Sequence, residues 1–233
     1  MDFAIIAAGE GSRLVQEGVK WHKPLIRING IPLIDRLINV FMHNGAESLR
    51  IIVNEQMTDV QEHLRAMKFE IPFHLVVKST PSSMHSFYEV SRGYEGDEIC
   101  LTTVDTIFFE QDFSKYIKAF QQEKSDGLFA VTKYVDDEKP LYVSIDENMM
   151  INGFKDENDA NCQYVSGGIY CLRQNGIRVL EKAIAEGQSR MRNFQRRLIT
   201  EGLKIKAYPF DKIIDVDHVE DIRKAEEFVN SNI

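Results

Sequence analysis

Apolar positions along the chain fall into two rhythms. Short unbroken runs bounded by turn residues have the length of buried strands: FAIIAA over 3–8, LRIIV over 49–53, FHLVV over 73–77, EICLTTV over 98–104 and GLFAVT over 127–132. Between them the spacing lengthens to that of a helix. Leu33, Ile34, Leu37, Ile38 and Phe41 make one apolar stripe, entered through a turn over 28–31 with Pro32 in the first helical turn, and closed by Asn44-Gly45. Val60, Leu64 and Met67 make a second stripe over 58–67, and residues 113–120 read as a third helix. Strand alternating with helix is the rhythm of a mostly parallel sheet with helices on its faces. The fold class expected is therefore α/β, Rossmann-like, in three α/β/α layers.

After Asp136 the rhythm changes. Residues 142–145 and 150–154 read as a hairpin around Asp146-Glu147-Asn148, followed by a polar loop over 156–163. The strand over 164–172 contains Gly167-Gly168, which implies a bulge or a close backbone approach to a ligand. Helices over 175–186 and up to about Gly202, a strand over 204–209, a strand end at 213–217 and a last amphipathic helix complete the chain. No repeat, low-complexity tract or linker interrupts it, so one domain is expected over 1–233, with a first half to about 135 and a second half from 136.

Composition narrows the function classes. A chain of 233 residues with a 43% hydrophobic share can bury one large core. The formal net charge of −8 argues against general nucleic-acid binding. The most basic stretch, Arg190, Arg192, Arg196 and Arg197, lacks interleaved aromatics and reads as a solvated face or as a contact between copies in a homo-oligomer. Three cysteines without a Cys-x-x-Cys pair suggest reduced thiols in a cytoplasmic protein. No signal-peptide pattern opens the chain, and no apolar stretch approaches the length of a membrane span.

The candidate chemistry gathers where strands end. The first strand, closing on Ala7 and Ala8, runs into Gly9-Glu10-Gly11-Ser12-Arg13, and Lys23-Pro24-Leu25 follows ten residues on. Glycines let the backbone approach a ligand, successive N–H groups in such a turn form an anion nest, and Arg13 and Lys23 add a planar and a point-like positive charge. Together they suit a polyphosphate. No Lys-Ser/Thr follows the turn as in a Walker loop, and Leu14 stands where a dinucleotide fingerprint has its third glycine. In a parallel sheet ligands bind beyond the carboxyl ends of the strands. Ser82, Ser83 and His85 lie at that edge on a loop entering a helix, and so does Asp105, at the end of the strand over 98–104 among Thr102, Thr103 and Thr106. Asp215 and Asp217, two apart, point to one face if the chain there is extended.

The segment AAGEGSR followed by KPL resembles the signature of the nucleotidyltransferases that include the nucleoside-diphosphate-sugar pyrophosphorylases and related cytidylyltransferases. The resemblance covers nearly the whole chain. It implies that residues 7–13, Lys23, Ser82 and Ser83 bind a nucleoside triphosphate, with Arg13 and Lys23 on its phosphates. It implies Mg²⁺ on Asp105, although Val104 replaces the small residue usual before it. Aligned on Glu220-Asp221, the family's second metal carboxylate falls on Asp217 by one branch and on Asp215 by the other. A small β-rich insertion would bind a phosphorylated acceptor through Lys155, Gly167 and Gly168, yet Phe154 stands where a Glu is usual. The implied reaction joins the nucleotide to a sugar 1-phosphate with loss of pyrophosphate. The alternatives are a cytidylyltransferase for phosphocholine or another small alcohol phosphate, or a silent nucleotide-binding regulator.

Overall fold

The computed structural model describes residues 1–136, 138–158 and 162–231, so part of the polar loop expected over 156–163 lies outside the described residues. The chain opens with β1 (Asp2–Ala7), a short helix α1 (Ser12–Gln16), and a small hairpin of β2 (Arg27–Ile28) and β3 (Ile31–Pro32). There follow α2 (Leu33–His43), β4 (Ser48–Val53), α3 (Thr58–Ala66), β5 (Phe73–Val77), α4 (Ser83–Ser91), β6 (Glu98–Thr103), β7 (Thr106–Ile107), α5 (Glu110–Gln122) and β8 (Gly127–Thr132). The second half contains β9 (Tyr142–Ile145), β10 (Ile151–Lys155), β11 (Tyr164–Arg173), α6 (Gln174–Ala185), α7 (Met191–Thr200), β12 (Ile205–Phe210), β13 (Ile214–Asp215) and α8 (Val219–Asn230).

One sheet organises the described residues. Strand β1 pairs in parallel with β4 on one side and β6 on the other, and β4 pairs in parallel with β5. β11 then runs antiparallel against both β6 and β8, and β12 closes that side parallel to β8. Because β11 alone reverses between β6 and β8, the strands β5, β4, β1, β6, β8 and β12 share one direction, and their carboxyl ends share one edge. The β9–β10 hairpin adds to β11 as the β-rich insertion. The mostly parallel α/β reading therefore holds, with the reversed strand β11 and the β9–β10 hairpin as its antiparallel departures.

The period-2 geometry of β1 divides the core. Phe3, Ile5 and Ala7 enter one buried cluster with α2, α3, α5 and α8, while Ala4, Ile6 and Ala8 enter the other with α4, α6 and α7. The stripe on α2 is fully used: Leu33, Ile34, Leu37, Ile38 and Phe41 are all buried, and Phe41 stacks on Phe3 with ring centroids 4.5 Å apart. Truncating Phe41 to Ala at such a site costs roughly 3–5 kcal/mol.

The entry to α2 differs from expectation. Asn29 and Gly30 both take positive φ and form a two-residue turn between β2 and β3. The helix starts only at Leu33, and Pro32 closes β3 immediately before it. Asn-Gly between apolar residues is a hairpin signal, and it prevails over the helix-start preference of the proline. All three cysteines are buried and free, with Cys100 and Cys171 opposite each other across β6 and β11. No described helix is long and apolar enough to cross a membrane.

Candidate active site

The site is assembled by neighbouring strand ends. β1 and β6 are adjacent, with Ile6 opposite Thr103, and the Val104 N–H donates to the Ile6 carbonyl at 3.0 Å. This sets Asp105 beside the Gly9–Ser12 turn. The chain's C-terminal part arrives through a two-residue ladder in which Asp215 pairs with Thr106, and the Val216 N–H donates to the Asp105 carbonyl at 3.1 Å. Asp217 follows immediately. Its place is fixed from behind by Asp221, a buried residue whose carboxylate accepts the backbone N–H groups of Asp217 (3.1 Å) and His218 (2.8 Å).

Five charged groups then meet. Lys23, only 8% exposed, donates from Nζ to Asp105 and, at 2.6 Å, to Asp217 Oδ1. Arg13 donates to the other oxygen of Asp217 at 2.9 Å and to Glu138 at 3.3 Å. Burial by itself would lower the Lys23 pKa, but Asp105 and Asp217 outweigh it, so the ammonium is held charged well above its ordinary range. Burial likewise pushes Asp105 up, and the Lys23 charge with a hydrogen bond from Thr103 more than offsets it, leaving the carboxylate ionised. Asp215 behaves oppositely. Part of its carboxyl reaches solvent, yet the protein packed around it and then the neighbouring Asp105 and Asp217 push it up to about 8.

Local backbone explains how the loop reaches Lys23. Gly11 sits at φ 61°, in the left-handed region, and a Cβ there would lie 3.2 Å from the Cβ of Lys23. The turn can therefore lie flat against the lysine stem only without a side chain. α1 starts directly after it, and a single turn of 3-10 helix over Lys23–Leu25 aims the lysine inward.

Three clefts open from this junction, the smallest, about 180 Å³, lined by Arg13, Asp215, Asp217 and Gly167. The first, about 700 Å³, is lined by the turn from Ala8 to Arg13, by Lys23, Asp105 and Asp217, and by Ser82 and Ser83. Asn54, Gln56 and Ser79 also line it, a contribution that the sequence reading did not single out. Asn54 is buried, donates to the Ala8 carbonyl at 3.4 Å and accepts from the Gln56 N–H and the Ser79 hydroxyl at 3.0 Å each, which ties the rim to β1. Its position just past β4, beside β1, was the available signal. Ser82 bonds His85 Nδ1 at 2.9 Å.

The second cleft, about 530 Å³, shares Asp105, Asp217, Thr103, Ser82 and Ser83 with the first and adds Asp215, Gly168, Ser166, Tyr170 and Gln195. Asp215 and Asp217 do face one cleft, with buried Val216 between them turned the other way. Gly167 lies against the body of the sheet, where a Cβ would come within 2.4 Å of Ile213 Cδ1. Lys155 ends β10 and lines neither cleft. Lys139, Arg190 and Arg192 do line the second cleft. The two arginines thus differ from the solvated-face reading, because the first turn of α7 points at the site. Arg196 and Arg197 are instead spent on ion pairs with Asp156, Glu186 and Glu201.

The fold has known counterparts. The structure of the inositol-1-phosphate CTP transferase from T. maritima superposes with a TM-score of 0.82 at 19% identity, covering 100% of this chain and 97% of that one. The bifunctional protein GlmU of Thermodesulfovibrio yellowstonii is 25% identical over 224 residues, which is 90% of this chain and 47% of that protein. A 2-aminoethylphosphonate cytidylyltransferase of Lancefieldella rimae is 30% identical over 89 residues, 37% of this chain and 36% of that protein. This chain therefore spans less than half the length of the curated relatives it matches. The nucleotidyl transferase family model matches residues 4–232, from the first strand to beyond α8, and the chain belongs to that family.

Proposed function

We propose that the chain transfers a nucleotidyl group from a nucleoside triphosphate to a phosphorylated acceptor, a sugar 1-phosphate foremost, releasing pyrophosphate. The observation that carries this reading is the shared junction: two clefts meet at Asp105 and Asp217, with Lys23 and Arg13 held on the same carboxylates. One cleft has the glycine turn that suits a triphosphate, and the other has room for an acceptor.

An acceptor phosphate oxygen attacks the α-phosphorus, a new P–O bond forms, and the bond to the β-phosphate oxygen breaks with its electron pair leaving on pyrophosphate. A phosphate dianion is already a nucleophile, so no proton has to move and no general base is required. What remains is positioning and charge neutralisation. The N–H groups of the Gly9–Ser12 turn and Arg13 hold the β- and γ-phosphates. Lys23, buried and charged, faces the α-phosphate. Thr103 and Asp105 fix its direction.

The donor set also fits Mg²⁺. Among the described residues no group of three or more His, Cys, Asp or Glu closes into a cage. Mg²⁺, however, is commonly held by one or two carboxylates plus substrate phosphates. Asp105 Oδ1 is buried and has no hydrogen-bond partner, an oxygen left over by the protein's own contacts. Asp105 and Asp217 would hold the ion, with Asp215 as the remaining carboxylate at the junction. The ion would supply charge neutralisation at the α-phosphate.

The test is pyrophosphate release with Mg²⁺, screening CTP, UTP, dTTP, GTP and ATP against sugar 1-phosphates and small alcohol phosphates. Release that requires one triphosphate and one acceptor supports the proposal. Triphosphate binding without release in any combination would favour a silent nucleotide-binding regulator.

A further inference from the structure

The second cleft has a charge pattern that its role as an acceptor site does not require. Of its three carboxylates, Asp105 and Asp217 are shared with the first cleft, and Asp215 lies beside them, two residues before Asp217. Away from that junction its charged lining is cationic. Lys139 comes from the connection between β8 and β9, and Arg190 and Arg192 come from the start of α7. The Arg190 guanidinium has no ion-pair partner in the described structure. Its backbone is committed to the site: the residue takes φ 73°, unusual for a side chain other than glycine, and its N–H donates to Ser82 Oγ at 3.3 Å. Arg192 is held in one orientation by Asp156 at 2.5 Å and by the Lys139 carbonyl at 3.1 Å. These bonds use one N–H on each terminal nitrogen and leave donors of the fork unused. Asp156 is shared with Arg196 at 2.8 Å, so it does not cancel both charges.

The rest of the lining is nearly neutral and already satisfied. Ser166 donates to Gln195 at 3.1 Å, and Gln195 donates to the Tyr170 hydroxyl at 3.3 Å. Tyr170 packs edge-on against Phe129 and is only 7% exposed, so it offers no open aromatic face to a cation. An ammonium headgroup needs an aromatic cage or a dedicated carboxylate, and this part of the cleft offers neither. One phosphate at the junction can use a single arginine. A further oriented guanidinium with unused donors on the same wall would face a neutral hydroxyl at a loss of hydration.

Resting on the nucleotidyltransferase reading above, we propose that the preferred acceptor is a phosphomonoester bearing a second acidic group, a carboxylate or a further phosphate, recognised by Arg192. Oxyanions of either kind match the guanidinium fork.

Matched acceptors test this with the triphosphate screen already described: glucose 1-phosphate against glucuronic acid 1-phosphate and glucose 1,6-bisphosphate, glycerol 3-phosphate against 3-phosphoglycerate, and phosphocholine as the cationic arm. The expected result is a kcat/KM at least about 10-fold higher for the acidic member of the productive pair, carried by KM. The carboxylate and phosphate arms distinguish the two acid types. Arg192→Gln should reduce that preference about 10-fold, and Arg192→Lys should restore part of it. Preference for the neutral or the cationic acceptor, or an unchanged preference in Arg192→Gln, overturns the inference and leaves the transferase reading standing. No turnover with any acceptor, together with no acceptor-dependent rise in melting temperature beside a bound triphosphate, overturns both.

Discussion

The two larger clefts at the junction handle charge in different ways. In the first, the cations are already paired: Lys23 lies between Asp105 and Asp217, and Arg13 lies between Asp217 and Glu138. The cost of burying Lys23 is offset inside the protein before any ligand contributes. In the second, Arg190 has no ion pair and Arg192 keeps donors in reserve. A preorganised cluster suits a reaction step, because the groups need not rearrange as charge develops. Guanidinium donors left unused suit recognition, because their desolvation is repaid only by a ligand of the right charge. On the proposed reading, chemistry and specificity are carried by separate walls that touch at two aspartates.

The sharpest way to break this comparison is Lys23→Ala. It removes the positive centre of the first cleft and leaves Asp105 without its counter-ion. Loss of one partner of such a pair costs about 3 kcal/mol of stability. Turnover should fall by roughly 10²–10³, the scale of deleting one aimed positive or hydrogen-bonding group at a reacting centre. Pyrophosphate release measured well below the mutant's melting temperature separates the two effects. Near-wild-type turnover would mean that the reaction does not take place at this junction. Asp105→Asn should follow closely, at about 10² in turnover, because it removes the carboxylate that both aims Lys23 and leaves one buried oxygen free. Titrating Mg²⁺ against the variant should show half-saturation shifted to a higher concentration of the ion. An unchanged Mg²⁺ dependence would remove Asp105 from the ligand set.

The two clefts were also unequally legible. The first is written in one continuous stretch, from Ala7 to Leu25, with glycine turn and cations at fixed spacing, so its residue types announce a phosphate site before any fold is known. Asp105 is equally plain as a carboxylate ending an apolar strand. Asn54 and Gln56 were missed because polar residues after a strand usually only form a turn, and it is the pairing of β4 with β1 that brings them to the cleft. The second cleft is assembled from Lys139, Gly168 and Arg190–Arg192, segments that no local pattern connects. Arginines on an amphipathic helix read as solvent-facing by default, and only the placement of α7 beside β10 and α6 turns its first two arginines inward. The hairpin at Asn29-Gly30 was available in the sequence as a dipeptide signal but was read through the proline that follows it.

A milder substitution sharpens the view of the first cleft as a fitted cradle. A Cβ at Gly9 would meet no protein atom within 4 Å, whereas one at Gly11 would press on Lys23 and demand a left-handed alanine. Gly9→Ala should therefore leave the melting temperature unchanged while occupying the space a phosphate needs, raising the KM for the triphosphate by about 10-fold. Gly11→Ala should lower stability by about 1–2 kcal/mol as well. The contrast is read by pairing thermal melts with triphosphate titrations. If Gly9→Ala binds the triphosphate as wild type does, the turn is not in contact with it.

The smallest expected effect concerns how the first cleft is closed from the outside. Glu17, just past α1, accepts a hydrogen bond from His218 at 2.5 Å and from the Val219 N–H at 2.7 Å, which links the loop between Arg13 and Lys23 to the segment carrying Asp217. The bond to Glu17 raises the His218 pKa above its ordinary value, and the bonds from His218 and Val219 lower that of Glu17. The signs follow by linkage. The histidine's contribution is complete below the unfolded imidazole value of about 6.5 and is lost as pH rises through its raised folded value. The glutamate's contribution is complete above the ordinary carboxylate value and is lost as pH falls through its depressed one. Both groups are solvent-facing, so the effect on global stability is slight and weakened by salt. A small decline in melting temperature on the alkaline side of neutrality should be measurable in the wild type at low ionic strength and absent in Glu17→Gln. Because Asp217 is the residue before His218, the same pH rise should loosen one of the two carboxylates that both clefts share. The decline should therefore shrink when a triphosphate is bound, since the ligand then holds Arg13 and Lys23 in its place; an equal decline with and without triphosphate would uncouple the outer bond from the site.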